Sequence, residues 1–230
     1  MFWTFVDPAQ ISGRQVVIDG KRAHHLGRVL RVRVGERGVA VANCREYAVE
    51  VVDVGKHRIV AQVHDDHPAL GEPLIAVTLL QSILPNPDFD AVVEGATAVG
   101  MTRLIAIKAA RSISRPGPDR RTRWEAIAES AAAQSHRGRV PDIGGPMDLL
   151  AALNQLDERL LVLEPRSATP LSRAASAGPL ALAIGPEGGW TEDEHALFSA
   201  AGATAVSLGP RILRARLAPI VATAILVAPP

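Results

Sequence analysis

The run LALAIGPEGGWTEDE, residues 180–194, decides the fold. Five apolar residues in a row, Leu180 to Ile184, read as a strand buried on both faces, which is what a helix-covered parallel sheet requires. Three glycines follow within five residues, Gly185, Gly188 and Gly189. They permit backbone conformations closed to other residues and let the main chain approach a ligand closely. Thr191 with Glu194 three positions on is a capping box, so a helix starts there. Strand, glycine-rich turn and helix follow one another without a spare residue.

Outward from this run the same grammar repeats. LIAVTLL (74–80) precedes a helix over Phe89–Val99, and RLIAIKA (103–109) precedes one over Arg121–Ser135. RLLVL (159–163) and AVSL (205–208) add strands, and helices are expected over Glu192–Ala201 and Ala218–Val227. Such alternation predicts an α/β domain with a mostly parallel sheet. Upstream the texture differs. Short Val- and Ile-rich runs at Phe2–Val6, Gln15–Ile18, Val39–Ala42, Tyr47–Val54 and Arg58–Val63 surround one helix at Ala23–Leu30, which predicts a small barrel or curled sheet. The polar stretch Asp65–Pro73 reads as the linker, giving domains at 1–70 and 71–230.

With 230 residues, 47% hydrophobic and 21% charged, the chain is expected to bury a real core in one or two domains. The apolar run Leu217–Ala228 is interrupted by Pro219 and far shorter than the roughly 20 residues a membrane span needs. MFWTFVDPAQ at the N-terminus has no basic region before a hydrophobic stretch, so no secretory signal is expected and a cytoplasmic location is. The single Cys44 excludes an intrachain disulfide and multi-cysteine zinc sites. Five histidines (His24, His25, His57, His64, His67) match no compact ligand spacing, and no metal is expected. Net charge is only +1, but between Arg103 and Arg139 nine Lys/Arg oppose three Asp/Glu. Arginine suits phosphate through paired hydrogen bonds, although a solvated basic face reads equally well from composition.

Ligands of open α/β sheets sit beyond the carboxyl ends of the strands. The candidate loops are therefore Leu163-Glu164-Pro165-Arg166, the Gly185–Trp190 turn, and Leu208-Gly209-Pro210-Arg211-Ile212-Leu213-Arg214. No P-loop lysine and no G-x-G-x-x-G is present, and the three acids at the helix start, Glu192, Asp193 and Glu194, disfavour phosphate there. The three loops are expected along one sheet edge around a small, partly apolar ligand. A tight turn into a helix, without any ligand, is the bland alternative.

Four motifs in this order, HHLGRVLRVRVGE (24–36), AAQSHRGRVP (132–141), GPEGGW–TEDE and SLGPRILR, resemble the RsmE family of bacterial small-subunit ribosomal RNA methyltransferases. These methylate uridine N3 and belong to the SPOUT superfamily. The resemblance implies an N-terminal PUA-like β-barrel that binds RNA and a C-terminal SPOUT-type knotted α/β domain. It further implies S-adenosyl-L-methionine as cofactor, a homodimer, and small-subunit rRNA or the assembled 30S subunit as partner. Cofactor-binding positions then fall at Leu163, Glu164, Gly185, Glu187, Gly188, Gly189, Leu208, Gly209, Ile212 and Leu213. Arg211 and Arg214 become the catalytic candidates, stabilising charge on the uracil and holding RNA phosphate. Arg22, Arg28, Arg31, Arg33, Gln134, Arg137 and Arg139 become RNA contacts. Departures from the family pattern stand in Leu84-Pro85-Asn86-Pro87 and at Ala98, Ala133, Arg216 and Leu217, where a lysine and three carboxylates are among the usual residues. They leave open a second function class, a diverged RNA-binding protein with weak or altered methyl transfer.

Overall fold

The computed structural model describes residues 1–114, 117, 120–174 and 178–228. Arg115 and Asp119 of the basic stretch lie outside the described residues. The chain divides into two compact units, Met1–Glu72 with Ala132–Arg139, and Pro73–Ala131 with Val140–Pro230.

The first unit holds β1 (Phe2–Phe5), β2 (Ile11–Ser12), β3 (Gln15–Asp19), α1 (Gly20–His24), β4 (Arg37–Ala42), β5 (Arg45–Val54) and β6 (Arg58–Pro68). Its six strands lie in the order β1-β4-β5-β6-β3-β2. Only β1 and β4 pair in parallel; the other ladders are antiparallel. Alternate residues turn inward as the two-residue period of a strand demands: Val16 and Ile18 from β3, Ile59, Ala61 and Val63 from β6. Leu26 seals this core from a π-helical turn, His25–Val29, that continues α1. The helix expected at Ala23–Leu30 is thus real but starts at Gly20 and changes winding at His25.

One expected boundary moves. β6 runs to Pro68, so the first four residues of the expected linker are strand. Their side chains are polar, but the β5 backbone pairs with them from Arg45 to Ala48, and Arg45 forms an ion pair with Asp66. Backbone pairing on a hairpin needs no apolar composition, which is why the sequence concealed it.

The second unit contains β7 (Val77–Ser82), α2 (Asp88–Val99), β8 (Arg103–Lys108), most of α3 (Arg120–Gln134), β9 (Asp142–Asp148), α4 (Leu149–Leu153), β10 (Arg159–Leu163), α5 (Leu171–Ala174), β11 (Leu180–Ile184), α6 (Glu192–Ala200), β12 (Thr204–Val206) and α7 (Ala218–Val227). The sheet order is β12-β10-β11-β7-β8-β9 and every ladder is parallel. The continuous apolar strands split residue by residue between two cores. Leu79, Leu104, Ala106, Leu161 and Leu182 join α2, α5 and α7 on one face. Leu80, Ile105, Ile107, Leu160, Val162, Ala181 and Ala183 meet α4 and α6 on the other.

β9, unforeseen in the sequence, carries Gly144, Gly145 and Pro146. Proline is tolerated there because β9 is an edge strand. Gly145 has φ 82°, and a Cβ on it would lie 2.4 Å from the Ala106 carbonyl oxygen, so only glycine fits. The chain runs from β10 to β11 and then back past β10 to β12, so the strand order reverses at β10. The loops leaving β10, β11 and β12 therefore open side by side at one edge.

Candidate active site

Those three loops line a cleft of about 370 Å³, together with Ala218 at the start of α7. β10 contributes Leu163, Glu164 and Pro165; β11 contributes Ile184, Gly185, Pro186, Glu187, Gly189 and Trp190. The chain after β12 contributes Leu208, Gly209 and the run Arg211 to Ala215. Gly188 is the one residue of the expected cofactor set that does not line it. It faces instead the side chain of Arg111, where an added Cβ would stand 3.3 Å from the Arg111 stem.

The walls are mostly apolar, and the polar groups among them are few. Gly185 lies over the Trp190 indole so closely that a Cβ would come within 3.1 Å of the ring. Trp190 is fixed from behind by Phe198, edge to face at 4.8 Å. Glu164 is half-buried, and its Oε1 has no hydrogen-bond partner although it is shielded from solvent. His195 Nε2 stands 3.7 Å from that oxygen. Burial pushes the Glu164 carboxyl above its usual range, and the nearby His195 imidazole works against this. A buried acceptor without a donor costs free energy, and Glu164 is the acidic side chain that the β10 loop brings to the cleft wall.

Two residues that the sequence reading did not name as site residues hold the glycine-rich turn in place. Arg111, beyond β8, donates through Nη1 to the carbonyls of Gly188 at 2.8 Å and Trp190 at 3.2 Å. Glu194 is buried; its Oε1 accepts from the Ala110 N–H at 2.9 Å and its Oε2 from the Thr191 N–H at 2.8 Å. The capping box expected from Thr191 and Glu194 is present, and its glutamate also bridges to the end of β8. The box was legible as local sequence. The bridge and the Arg111 clamp depend on contacts 77 to 84 residues apart, for which no sequence signal exists.

After β12 the main chain turns through Gly209 at φ 90°. Arg211 and Arg214 are both exposed at the mouth of the cleft, and Ile212 beside them is 89% exposed. Arg216 Nη1 lies 3.2 Å from Asp88 Oδ1 at the start of α2.

The matched families follow this geometry. A sequence family described as an RNA methyltransferase domain matches residues 71–227, and one described as an RNA methyltransferase PUA domain matches residues 18–63. Ribosomal RNA small subunit methyltransferase E of Mycobacterium bovis is 32% identical, covering 95% of this chain and 88% of its own length. The Synechocystis protein of the same name is 29% identical over 95% of this chain and 75% of its own. A crystal structure of ribosomal RNA small subunit methyltransferase E from Neisseria gonorrhoeae bound to S-adenosyl methionine superposes with a TM-score of 0.88 at 30% identity, covering 97% of this chain and 95% of that one. The chain belongs to the ribosomal RNA small subunit methyltransferase E family.

The positions expected to depart from the family pattern are not holes in its core. Ala98, Arg216 and Leu217 are exposed and Ala133 is half-buried. Arg216 has Asp88 as a counter-ion.

In the PUA-type unit, Arg28, Arg31 and Arg33 are exposed on and just after the π-helical turn, and Arg22 is half-buried. Gln134 is exposed, and Arg139 is partly exposed with its Nε 3.2 Å from Glu72 Oε2. Arg137 requires a correction. Its side chain is 1% exposed and forks onto Glu72 with hydrogen bonds of 2.9 and 2.8 Å. Glu72 Oε1 also accepts the Gly138 N–H at 2.9 Å. Burial would raise the Glu72 carboxyl, but the Arg137 fork, the Gly138 N–H and Arg139 outweigh it and hold it below its usual range. Arg137 is thus an internal brace and has no free face for phosphate. Among the described residues no cluster of three or more His, Cys, Asp or Glu could hold a metal, and no helix is long and apolar enough to cross a membrane.

Proposed function

We propose that this protein transfers a methyl group from S-adenosyl-L-methionine to N3 of a uridine in small-subunit (16S) ribosomal RNA. The observation that carries the reading is the cleft built by the loops after β10, β11 and β12 in a chain of this family. Its residues fit such a cofactor. The apolar slot between Leu163, Trp190, Leu208 and Leu213 takes a purine, and the partly exposed Glu164 carboxylate accepts from a hydroxyl or the ammonium. A phosphate-free ligand also suits a turn followed by three acidic residues, Glu192, Asp193 and Glu194.

When bound, S-adenosylmethionine supplies a sulfonium-activated methyl group. The protein's own residues then do two things. The clamp of Arg111 and Glu194 keeps the cleft wall rigid, so orientation contributes to rate without reorganisation. As the N3–C bond forms the S–CH3 bond breaks to leave a neutral thioether, the N3 proton passes to water, and Arg211 and Arg214 stabilise the negative charge that spreads onto the uracil oxygens. The protein works as a homodimer in the cytoplasm, with the knotted backbone of SPOUT enzymes, on free rRNA or the assembled 30S subunit.

The test is tritiated methyl transfer to purified small subunits lacking the modification, with mass spectrometry of rRNA from cells lacking this gene. Transfer above background and loss of one methyluridine are expected. Cofactor binding without transfer would favour the second reading, a diverged RNA-binding relative with weak or altered methyl transfer, which Arg216 and Leu217, close in sequence to the cleft-lining run Arg211–Ala215, support.

A further inference from the structure

We propose that the outer face of the His136 imidazole is a stacking platform for an unpaired nucleobase of the RNA. The inference rests on the reading of this protein as one that acts on RNA. It adds a binding residue that none of the arginines supplies.

Four observations converge on His136. Its imidazole lies flat on the Trp3 indole, with ring centroids 4.4 Å apart and planes 9° from parallel. The residue is nevertheless exposed, so the ring packs on Trp3 while the side chain stays at the surface. Its backbone has φ 55°, a left-handed conformation that a side-chain-bearing residue adopts only at a cost. The segment around it is locked. The His136 carbonyl oxygen sits where a Cβ on Gly71 would approach to 2.5 Å, and Gly138 is so close to Ala69 that a Cβ would come within 2.3 Å. Glu72 fixes the next two residues through Arg137 and the Gly138 N–H.

Strain of this kind persists only where the surroundings over-determine it, and it concentrates at binding sites. Here the surroundings hold an aromatic ring rigidly at the surface, backed by a second ring. That is the arrangement that takes up single-stranded RNA bases, because every base offers a π-face. The neighbours complete the site. Gln134 is exposed two residues before and Arg139 three residues after, so an amide for a base edge and a guanidinium for phosphate flank the ring. The unit itself is the more basic of the two, with twelve Lys/Arg against nine Asp/Glu, where the other has thirteen against fifteen. Stacking of a base on His136 extends the Trp3–His136 pair to three layers.

The deciding variant is His136→Gly, because glycine accepts φ 55° freely and the fold is not put at risk. Binding of a fluorescein-labelled single-stranded RNA to the full-length protein is measured by anisotropy over a range of salt concentrations. Affinity should fall about 5- to 150-fold, the equivalent of the roughly 1–3 kcal/mol carried by one stacked base. The slope of affinity against salt should stay unchanged, since no phosphate contact is lost, whereas Arg139→Gln should flatten it. His136→Tyr should keep most of the affinity, and S-adenosylmethionine binding should be the same in all three variants. Wild-type RNA affinity in His136→Gly would overturn the platform while leaving the methyltransferase reading intact. A wild-type protein that binds neither the oligonucleotide nor small subunits would overturn both.

Discussion

Arg137 and Arg214 look alike in sequence: each stands in a short basic motif, QSHRGR or PRILR, suited to RNA. In the folded chain they are opposites. Arg137 is enclosed, bidentate to a half-buried Glu72 whose carboxyl it holds in the charged form. Arg214 is exposed at the mouth of a cleft. The difference teaches that an arginine's role follows from how much water it keeps. A desolvated guanidinium must be paired to be tolerated at all. An exposed one beside a ligand cavity is free to meet charge that arrives during a reaction.

Replacing each arginine by alanine should separate the two roles, and the largest effect belongs to Arg137. Arg137→Ala removes the fork from Glu72, which keeps only Arg139 and the Gly138 N–H, and should cost about 1.5–3 kcal/mol of stability, measured by denaturant unfolding. The same pair sets an acid limit. Because the folded-state pKa of Glu72 is depressed, its contribution is complete above the unfolded-state value and fades as pH falls through the folded one. Glu72→Gln should remove that part of the acid dependence; an unaltered profile would mean the carboxylate is not held as described.

Arg214→Ala should leave unfolding within about 0.5 kcal/mol of wild type. Turnover in the tritiated methyl assay should drop about 10²–10³-fold, the loss typical of one charge-stabilising donor. A large fall in stability with normal turnover per folded molecule would reverse the comparison.

The clamp arginine stands between these extremes. Arg111→Ala removes charge-assisted hydrogen bonds to the Gly188 and Trp190 carbonyls, each worth about 1.5–3 kcal/mol. The expected outcome by calorimetry is weaker S-adenosylmethionine binding, roughly tenfold or more, with RNA affinity unaffected. Equal cofactor affinity would show that the turn holds its shape alone.

The smallest effect is expected at Arg216. Restoring a glutamate there sets a carboxylate against Asp88 in place of an ion pair of 3.2 Å between two partly exposed groups. Exposed pairs contribute about 0–1 kcal/mol, so Arg216→Glu should lower stability slightly and should not raise activity. Higher turnover in that variant would restore the reading of this position as a decayed catalytic site.

Much of the fold was legible because its strands announce themselves. RLLVL and LALAI are β10 and β11 residue for residue, and α7 runs from Ala218 to Val227 as its apolar stretch suggested. Doubly covered strands must be apolar throughout, and that pattern is hard to mimic. β9 was missed because an edge strand may carry Gly-Gly-Pro, and the far end of β6 because its residues look like a linker. The three candidate loops were legible too, since each follows a strand and carries Gly or Pro. Which glycine of the turn faces the cleft and which faces Arg111 depends on contacts across the sheet and was not legible.

By itself the sequence determined the sheet, its covering helices and the three loops from which a ligand site is made, because period, capping and glycine placement are local properties. Only the tertiary structure decided which charged side chains remain available. Burial turned Arg137 into a brace, long-range hydrogen bonds made Arg111 a clamp, and a ring stack held His136 at the surface. Desolvation and pairing are set by neighbours distant in the chain, and no stretch of sequence carries that information.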